Sequence, residues 1–157
     1  MLSEHVSGVL DHKKLVAEYL YLVAFDLLQR ARRHDDSKFS PEELDDFERM
    51  TPILKTLTYG SEEYKAALKE LGSALSHHYQ ENDHHPEHFE GGISSMTLVE
   101  LLEMICDWMA ATKRVKNGDM HRSLDVNRER FKIDRQLFEV LKNTVNQMVI
   151  DEPVEGN

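Results

Sequence analysis

Apolar residues recur at spacings of three and four along most of the chain, and this period limits the folds that the sequence can adopt. In the first long segment the apolar residues that recur at these spacings are Leu15, Val16, Tyr19, Leu20, Val23, Leu27 and Leu28. Their spacing predicts either one helix with an apolar face or two short successive helices. No segment alternates apolar and polar residues as a strand does. We therefore expect a compact all-α domain, a helical bundle of about six helices.

Residues that start and stop helices predict where the next two helices lie. "SPEEL" offers Ser40 as an N-cap with Glu43 three residues later, the pattern of a capping box, so a helix is expected from 41 to about 57. Ser61 should cap another helix that runs from 62 to about 81.

The second half of the chain continues the helical pattern after one interruption. "NDHHPEHFEGGISS" breaks the period, because Pro and paired Gly disfavour helix. Thr97 should begin the next helix, which Asn117-Gly118 should end. "SLDVNRERF" and "DRQLFEVLKNTVNQMVI" predict one short and one longer terminal helix.

Length and composition indicate a soluble single-domain protein. The 157 residues suit one domain over 1–150, followed by an acidic tail at 151–157. A net charge of −10 opposes binding to long nucleic acids, although a metal or a few local cations can still hold a small anion. The chain start lacks a signal core, and no run approaches the ~18 apolar residues of a membrane span. We expect a cytoplasmic protein.

Chemically unusual side chains occur at four places: His12, the pair His34-Asp35, a segment at 77–88 with five histidines, and Asp107. Imidazole nitrogens combined with carboxylate oxygens suit transition metals, whereas all-oxygen sites suit calcium and magnesium. The mixture predicts a transition-metal site. The single cysteine, Cys106, excludes an internal disulfide, and its apolar surroundings predict a buried packing thiol.

Asp107 is the only charged residue between Met104 and Ala111, in a helix that is apolar nearly all round. A carboxylate in such a place must be paired or metal-bound to tolerate its desolvation. We predict that Asp107 binds the metal, with a salt bridge to Arg33 or Arg130 as the alternative.

His12 lies three and four residues before Leu15 and Val16, so it shares their apolar stripe as a metal ligand or as a core residue. The 22 residues from His12 to His34 (34 − 12) would span about 33 Å in a straight helix at ~1.5 Å per residue, too far for a shared ion. If both bind one ion, the chain must fold back near 24–28.

In the histidine-rich segment, His78 and Asn82 are one helical turn apart and face the same way. His84 or His85 then follows in irregular backbone that can direct a ring to the same ion. Because adjacent histidines rarely point at one metal, one of the two is expected to bind it. The groups left to orient ligands, contact substrate or carry protons are the other histidine of the pair, Glu87 and His88. The alternative is a solvated polar loop or a fortuitous metal binder.

The order of these residues resembles the HD-domain superfamily of metal-dependent phosphohydrolases, which are all-α proteins. There an early His, a His-Asp doublet and a late Asp hold a divalent metal, and "HDDSK" is similar to the superfamily's "HDxxK". More loosely, "HHPEHFEGG" is similar to the "HHE" plus Gly segment of the HD-GYP branch, although "GYP" is absent and the histidine spacing is shorter. Over about residues 12 to 131, "HDxSKFSPEE", "HxxxNxHHPEHF" and "EMICDWMAA" resemble a family of small uncharacterised proteins from phages and bacteria.

The superfamily resemblance implies a set of metal ligands that joins distant parts of the chain. The implied core ligands are His34, Asp35 and Asp107 with His12 as the early histidine, and His78 with His84 or His85 would complete a second metal position. The resemblance also implies that Lys38 approaches the substrate phosphate, a role that suits a compact cation.

The expected function is hydrolysis of a phosphate ester or anhydride in a small nucleotide, as in a nucleotidase, a dNTP hydrolase or a cyclic-nucleotide phosphodiesterase. One or two ions of manganese, iron, zinc, cobalt or nickel would activate water and, with Lys38, neutralise phosphoryl charge. Glu87, Asp36 or a spare histidine would move the proton. The residues predicted to contact substrate are Lys38, Asn82, His88 and Arg130.

Two other functions fit the same residues. One is an HD-type di-iron oxygenase, because histidine-rich ligand sets suit iron. The other is a metal-stabilised interaction protein without turnover. A homo-oligomer is left open, and a phage-encoded protein would act in the host cytoplasm.

Overall fold

The computed structural model describes residues 3–58, 60–115 and 117–150. Within these ranges the chain forms seven α-helices, three short 3-10 helices and no strand, so the all-α prediction is confirmed. The predicted acidic tail at 151–157 lies outside the described residues. The chain divides into two units, residues 1–34 and 35–157.

The first unit is one long helix, α1 (Glu4–Arg33). Ser3 caps its N terminus, where the Ser3 hydroxyl oxygen accepts a hydrogen bond from Val6 N at 3.3 Å. Residues 24–28 contain no Gly or Pro to interrupt the backbone hydrogen bonds, and the helix continues through them. The structure therefore has the single helix of the two alternatives.

The second unit contains the other six α-helices and the three 3-10 helices. The α-helices are α2 (Leu44–Thr56), α3 (Glu62–Lys69), α4 (Ser73–Glu81), α5 (Leu98–Arg114), α6 (Met120–Phe131) and α7 (Arg135–Ile150). The 3-10 helices are Asp36–Phe39, Pro86–His88 and Gly92–Ser95. Helices α5, α6 and α7 enclose the larger core, in which Met104, Ile105, Leu124 and Val145 are buried. A smaller core around Met50 and Leu71 joins α2 to α3.

Two predicted helix boundaries are wrong. The helix expected from residue 41 begins at Leu44, and Glu43 makes no capping hydrogen bond because its buried carboxylate binds histidine rings instead. The single helix expected over 62–81 is broken at Gly72, whose φ of 53° and ψ of −117° lie outside the helical region. The Ser61 cap itself is confirmed, since its oxygen accepts from Tyr64 N at 3.1 Å.

The boundaries of α5 follow the sequence signals. Thr97 and Glu100 form a reciprocal capping box, with each side chain bonded to the other residue's backbone N–H. The helix ends before Asn117, whose φ of 56° is left-handed. Cys106, expected to be buried, is exposed, because the core-facing side of this helix carries Met104, Ile105 and Trp108 instead. None of the helices in the described ranges is both long enough and apolar enough to cross a membrane.

Candidate metal centre

Asp35 begins the second unit at a turn of the backbone. Its φ of 62° is left-handed, a conformation that Asp tolerates better than most residues. Its Oδ2 lies 2.5 Å from the ammonium of Lys38, three residues later in the 3-10 helix. The Lys38 ammonium also lies 5.1 Å from the centre of the Phe47 ring, which helps to fix its position.

The other carboxylate oxygen of Asp35 faces two buried histidines. Asp35 Oδ1 lies 3.3 Å from His78 Nε2 and 3.6 Å from His84 Nε2. His78 comes from α4 and is 3% exposed, whereas His84 comes from the irregular segment after α4 and is 2% exposed. Two neighbouring histidines therefore direct nitrogen atoms at one oxygen of Asp35, which lies far from both of them in sequence.

His85 joins the same group of atoms. Its Nε2 lies 3.0 Å from His78 Nε2, and one donor atom from each of Asp35, His78, His84 and His85 lies within 4.8 Å of the other three. We expected one of the adjacent histidines to turn away, but the turn closed by the hydrogen bond from His85 N to Asn82 O brings both rings together. Burial, assisted by the rings of His84 and His78, lowers the pKa of His85 to about 2, so this ring is neutral at physiological pH.

A carboxylate with little exposure lies at the Nδ1 side of both His78 and His84. Glu43, which is fully buried, accepts from His78 Nδ1 at 3.0 Å and from His77 Nδ1 at 2.8 Å. The hydrogen bond to Glu43 raises the pKa of His77. Glu103 Oε1 lies 3.4 Å from His84 Nδ1. A carboxylate at Nδ1 favours the tautomer that carries its proton there, which leaves the Nε2 lone pair of His78 and of His84 directed at Asp35.

Asn82 and Ser37 support His78 rather than adding donor atoms. The Asn82 amide donates to Ser37 Oγ at 2.7 Å and to the His78 carbonyl at 2.7 Å. Ser37 Oγ in turn lies 3.1 Å from His78 Nδ1. These contacts connect the 3-10 helix after Asp35 to the C terminus of α4, and so they fix the positions of Asp35 and His78 relative to each other.

The spacing of the four donors fits a single divalent ion. Two donors that each lie about 2.1 Å from one ion are about 3.0 Å apart at a right angle and about 3.4 Å apart at the tetrahedral angle. The distance from His78 Nε2 to His85 Nε2 is 3.0 Å, and the distances from Asp35 Oδ1 to His78 Nε2 and His84 Nε2 are 3.3 and 3.6 Å, close to these values. Three imidazoles and one carboxylate are also the donor set that zinc, manganese and iron accept.

Asp107 extends the carboxylate side of the cluster. One of its oxygens lies within 4.8 Å of an Asp35 oxygen, so two carboxylates approach each other in a half-buried place. Asp107 is one helical turn after Glu103 on α5, which places both acids on one side of that helix. A bound cation would relieve the repulsion between Asp35 and Asp107.

His12 and His34 belong to the first unit. His34 is the C-cap residue of α1, and His12 lies exposed near the other end of the same uninterrupted helix. The two histidines are therefore about 33 Å apart, at ~1.5 Å per residue. This corrects the expectation that His12 and His34 of one chain serve one ion, because the fold-back that this requires does not occur.

The remaining predicted residues lie on the surface of the second unit. Glu87 and Arg130 pair with each other, and Arg130 also donates to the hydroxyl of Tyr79 at 3.2 Å. His88 is exposed, with its Nδ1 3.2 Å from the Tyr79 carbonyl. Asp36 is exposed in the 3-10 helix that also carries Lys38. None of these four contributes to the four-donor cluster.

Sequence reasoning missed Glu43, Glu103 and Ser37. The sequence marked Glu43 only as a helix-capping residue, and nothing in the sequence relates it to a histidine 35 positions later. Glu103 did carry a signal, because it precedes Asp107 by one helical turn and therefore lies on the same side of α5.

The sequence matches, over residues 1–149, the model of a family of unknown function, DUF5662. The chain belongs to that family. A search of curated proteins and a search of solved structures each returned no match. The family description gives no activity.

Proposed function

We propose that the protein is a divalent-metal-dependent phosphohydrolase of HD-domain type that acts on a small nucleotide or phosphate ester. The observation that supports this most is the ammonium of Lys38 beside the four-donor cluster, 2.5 Å from Asp35 Oδ2. With an ion bound, the Lys38 ammonium adds a second positive charge beside it, and the two charges together strengthen the binding of an anion. The pairing of metal donors with a lysine therefore favours an anionic substrate.

Asp35, His78 and His84 would hold the ion, with His85 as the fourth donor. When bound, the ion supplies an acidified water and neutralises charge on phosphoryl oxygens. Glu43 and Glu103 keep the two histidine rings in the tautomer and orientation that the ion requires. The low exposure of these groups keeps their electrostatic interactions strong.

Lys38 binds the phosphate and stabilises the negative charge that develops on it. Its side chain is 30% exposed, so a substrate can reach the ammonium from solvent. A compact ammonium contacts a phosphoryl oxygen as a point charge, and the Phe47 ring restricts where that charge can move.

Asp36 is our choice for the proton carrier among the predicted acids. It is exposed and follows Asp35 directly, whereas the Glu87 carboxylate is already engaged by Arg130. The amide of Asn82, predicted as a substrate contact, already donates to Ser37 Oγ and to the His78 carbonyl. His88 and Arg130 would contact a distal part of the substrate.

The charge of the chain is consistent with a small substrate. A net charge of −10 repels long nucleic acids, while Lys38 and the ion act only over a short distance. Free nucleotides are cytoplasmic, so the proposed activity implies a cytoplasmic protein, in the host if a phage encodes it.

The test is a screen of manganese-loaded protein against nucleoside mono-, di- and triphosphates and cyclic dinucleotides. Asp35→Ala removes the central donor and should abolish hydrolysis. Lys38→Met should lower kcat by about 10²-fold and leave metal stoichiometry unchanged. Lys65→Met is the matched control, because Lys65 pairs with Glu62 three residues away and lies far from the cluster in sequence. Hydrolysis no faster than that of Asp35→Ala on every substrate would refute the proposal.

A structural metal site is the second candidate, because three imidazoles and one carboxylate can fill all four positions of a tetrahedral zinc ion. Removing such an ion should unfold the second unit, whereas removing a catalytic ion should abolish activity and leave helicity largely intact. Circular dichroism before and after chelation separates the two functions.

A further inference from the structure

A groove of about 540 Å³ lies between the segment that follows His85 and the C-terminal end of α6. Its lining residues all belong to 86–94 and 130–132, which are parts of the second unit. Pockets that bind small molecules usually measure about 300–1,000 Å³. The groove is therefore large enough to hold one small molecule.

The groove adjoins the four-donor cluster. Pro86, one of its lining residues, directly follows His85 in the chain. The centre of the Tyr79 ring lies 4.9 Å from that of the His85 ring, and the Tyr79 hydroxyl accepts a hydrogen bond from Arg130 Nη2 at 3.2 Å. These two contacts place Arg130 Nη2 no more than about 11 Å from the centre of the His85 ring. A single small molecule can thus contact both the ion and the groove.

The formal charges of the groove cancel. Its lining side chains include the carboxylates of Glu87 and Glu90 and the cations of Arg130 and Lys132. A groove in which two negative and two positive charges balance gives little electrostatic advantage to a further phosphate group. The groove therefore suits a part of the ligand that is polar but carries no net charge.

The walls of the groove combine aromatic rings with a guanidinium that is held in place. Phe89 and Phe131 both line it. The Phe131 ring stacks on Trp108 of the larger core, with centroids 6.0 Å apart, and the Arg130 guanidinium lies 4.7 Å from the centre of the Phe131 ring. Nucleotide bases stack on aromatic rings and on guanidinium planes, and a carboxylate can accept hydrogen bonds from sugar hydroxyls. The groove therefore offers the surfaces that a base and a sugar require.

We propose that this groove binds the nucleoside part of a nucleotide whose phosphate lies at the donor cluster. Phe89 and the Arg130 guanidinium contact the base, and Glu90 accepts from a sugar hydroxyl. The charged end of the substrate then lies at the ion and Lys38, and its neutral end lies in the groove. The position of the phosphate rests on the proposed function, whereas the binding of the nucleoside requires no hydrolysis.

Nucleosides without a phosphate group test the groove directly. The probes are adenosine, guanosine, cytidine and uridine with their deoxy forms, titrated into the isotope-labelled full chain and followed by amide chemical shifts. At least one probe should bind with a Kd below about 1 mM and shift the amides of 87–94 and 130–132. The proposal is overturned if none of the probes binds, or if the shifted amides lie elsewhere in the chain. This measurement needs only the wild-type chain.

Two variants test which side chains hold the base. Phe89→Ala and Arg130→Met should each raise the Kd of the bound nucleoside by about 10-fold, because each removes a stacking surface. Arg128→Met is the matched control, since Arg128 also lies near the end of α6 and 4.7 Å from a phenylalanine ring, that of Phe138, but outside the residues that line the groove. Folded Phe89→Ala and Arg130→Met variants that both bind as tightly as Arg128→Met would overturn the proposal.

Hydrolysis separates this inference from the proposed function. On a nucleoside monophosphate that the manganese-loaded protein hydrolyses, Phe89→Ala should raise KM by about 10-fold and change kcat by less than about twofold. Nucleoside binding in the groove without hydrolysis of any nucleotide would contradict the proposed function and support the groove. Hydrolysis with a KM that Phe89→Ala and Arg130→Met leave unchanged would overturn the groove and support the proposed function.

Discussion

Glu43→Gln should weaken metal binding although Glu43 is itself no metal donor. The carboxylate accepts from His77 Nδ1 at 2.8 Å and from His78 Nδ1 at 3.0 Å, and it is fully buried. Gln keeps the shape but has one oxygen and one NH₂ group, so it can accept from only one of the two rings. The other ring must then present a bare Nδ1 to the amide, which moves its proton to Nε2. If this ring is His78, its donor nitrogen is lost to the ion.

The size of the effect follows from the role of the carboxylate. Loss of a carboxylate behind a metal-binding histidine costs about 10–100-fold in metal affinity, or about 1.4–2.8 kcal/mol. Titration calorimetry with zinc or manganese at neutral pH measures this directly. Glu42→Gln is the matched control, since Glu42 is the neighbouring residue and is exposed. A Glu43→Gln variant that is folded and binds metal within about twofold of Glu42→Gln would show that Glu43 does not orient the donor histidine.

Three further predictions concern stability. Gly118→Ala should lower the free energy of unfolding by at least ~2 kcal/mol, because an added Cβ would lie 1.7 Å from a backbone oxygen of α5. Gly8→Ala is the control in thermal unfolding, since its Cβ meets open space in α1, and it should be neutral or stabilising. The Glu87–Arg130 pair is partly exposed, so a double-mutant cycle should give under ~1 kcal/mol of coupling, and a larger value would indicate a buried network. In the metal-free protein the pKa of His85 is lowered, so below pH ~6.5 the unfolded chain protonates this ring and the folded chain does not. The free energy of unfolding should therefore fall as the pH drops from ~6.5, by up to ~1.4 kcal/mol per pH unit. Urea titrations at several pH values measure this dependence, which His85→Gln should flatten.

The local parts of the fold could be predicted because their causes are local. Thr97 and Glu100 specify the start of α5 through a capping box within one turn, and the structure forms it. The break at Gly72 was missed because a single glycine inside an apolar period is usually tolerated. Nothing nearby in sequence indicates that α3 and α4 are separate helices, or that α4 directs His78 at Asp35.

The donor cluster could be predicted only in part. Asp35, His78 and the histidines at 84 and 85 were found because few side chains can bind a transition metal. Their grouping depends on the long-range packing of α4 against the 3-10 helix after Asp35, which one sequence does not specify. Glu43 shows the same limit. Its carboxylate could cap α2 or bind a buried partner, and which of these occurs depends on His77 and His78, which are distant in sequence.

The central claim is that Asp35, His78, His84 and His85 bind one divalent ion. X-ray absorption at the zinc edge of stoichiometrically loaded protein tests it without any assay of activity. We predict a shell of nitrogen and oxygen atoms at ~2.0–2.1 Å from the zinc, with multiple scattering from about three imidazoles. Asp35→Ala should no longer bind zinc at this site. Absence of a stoichiometric site, a sulfur neighbour near ~2.3 Å, or fewer than two imidazoles would contradict the proposed centre.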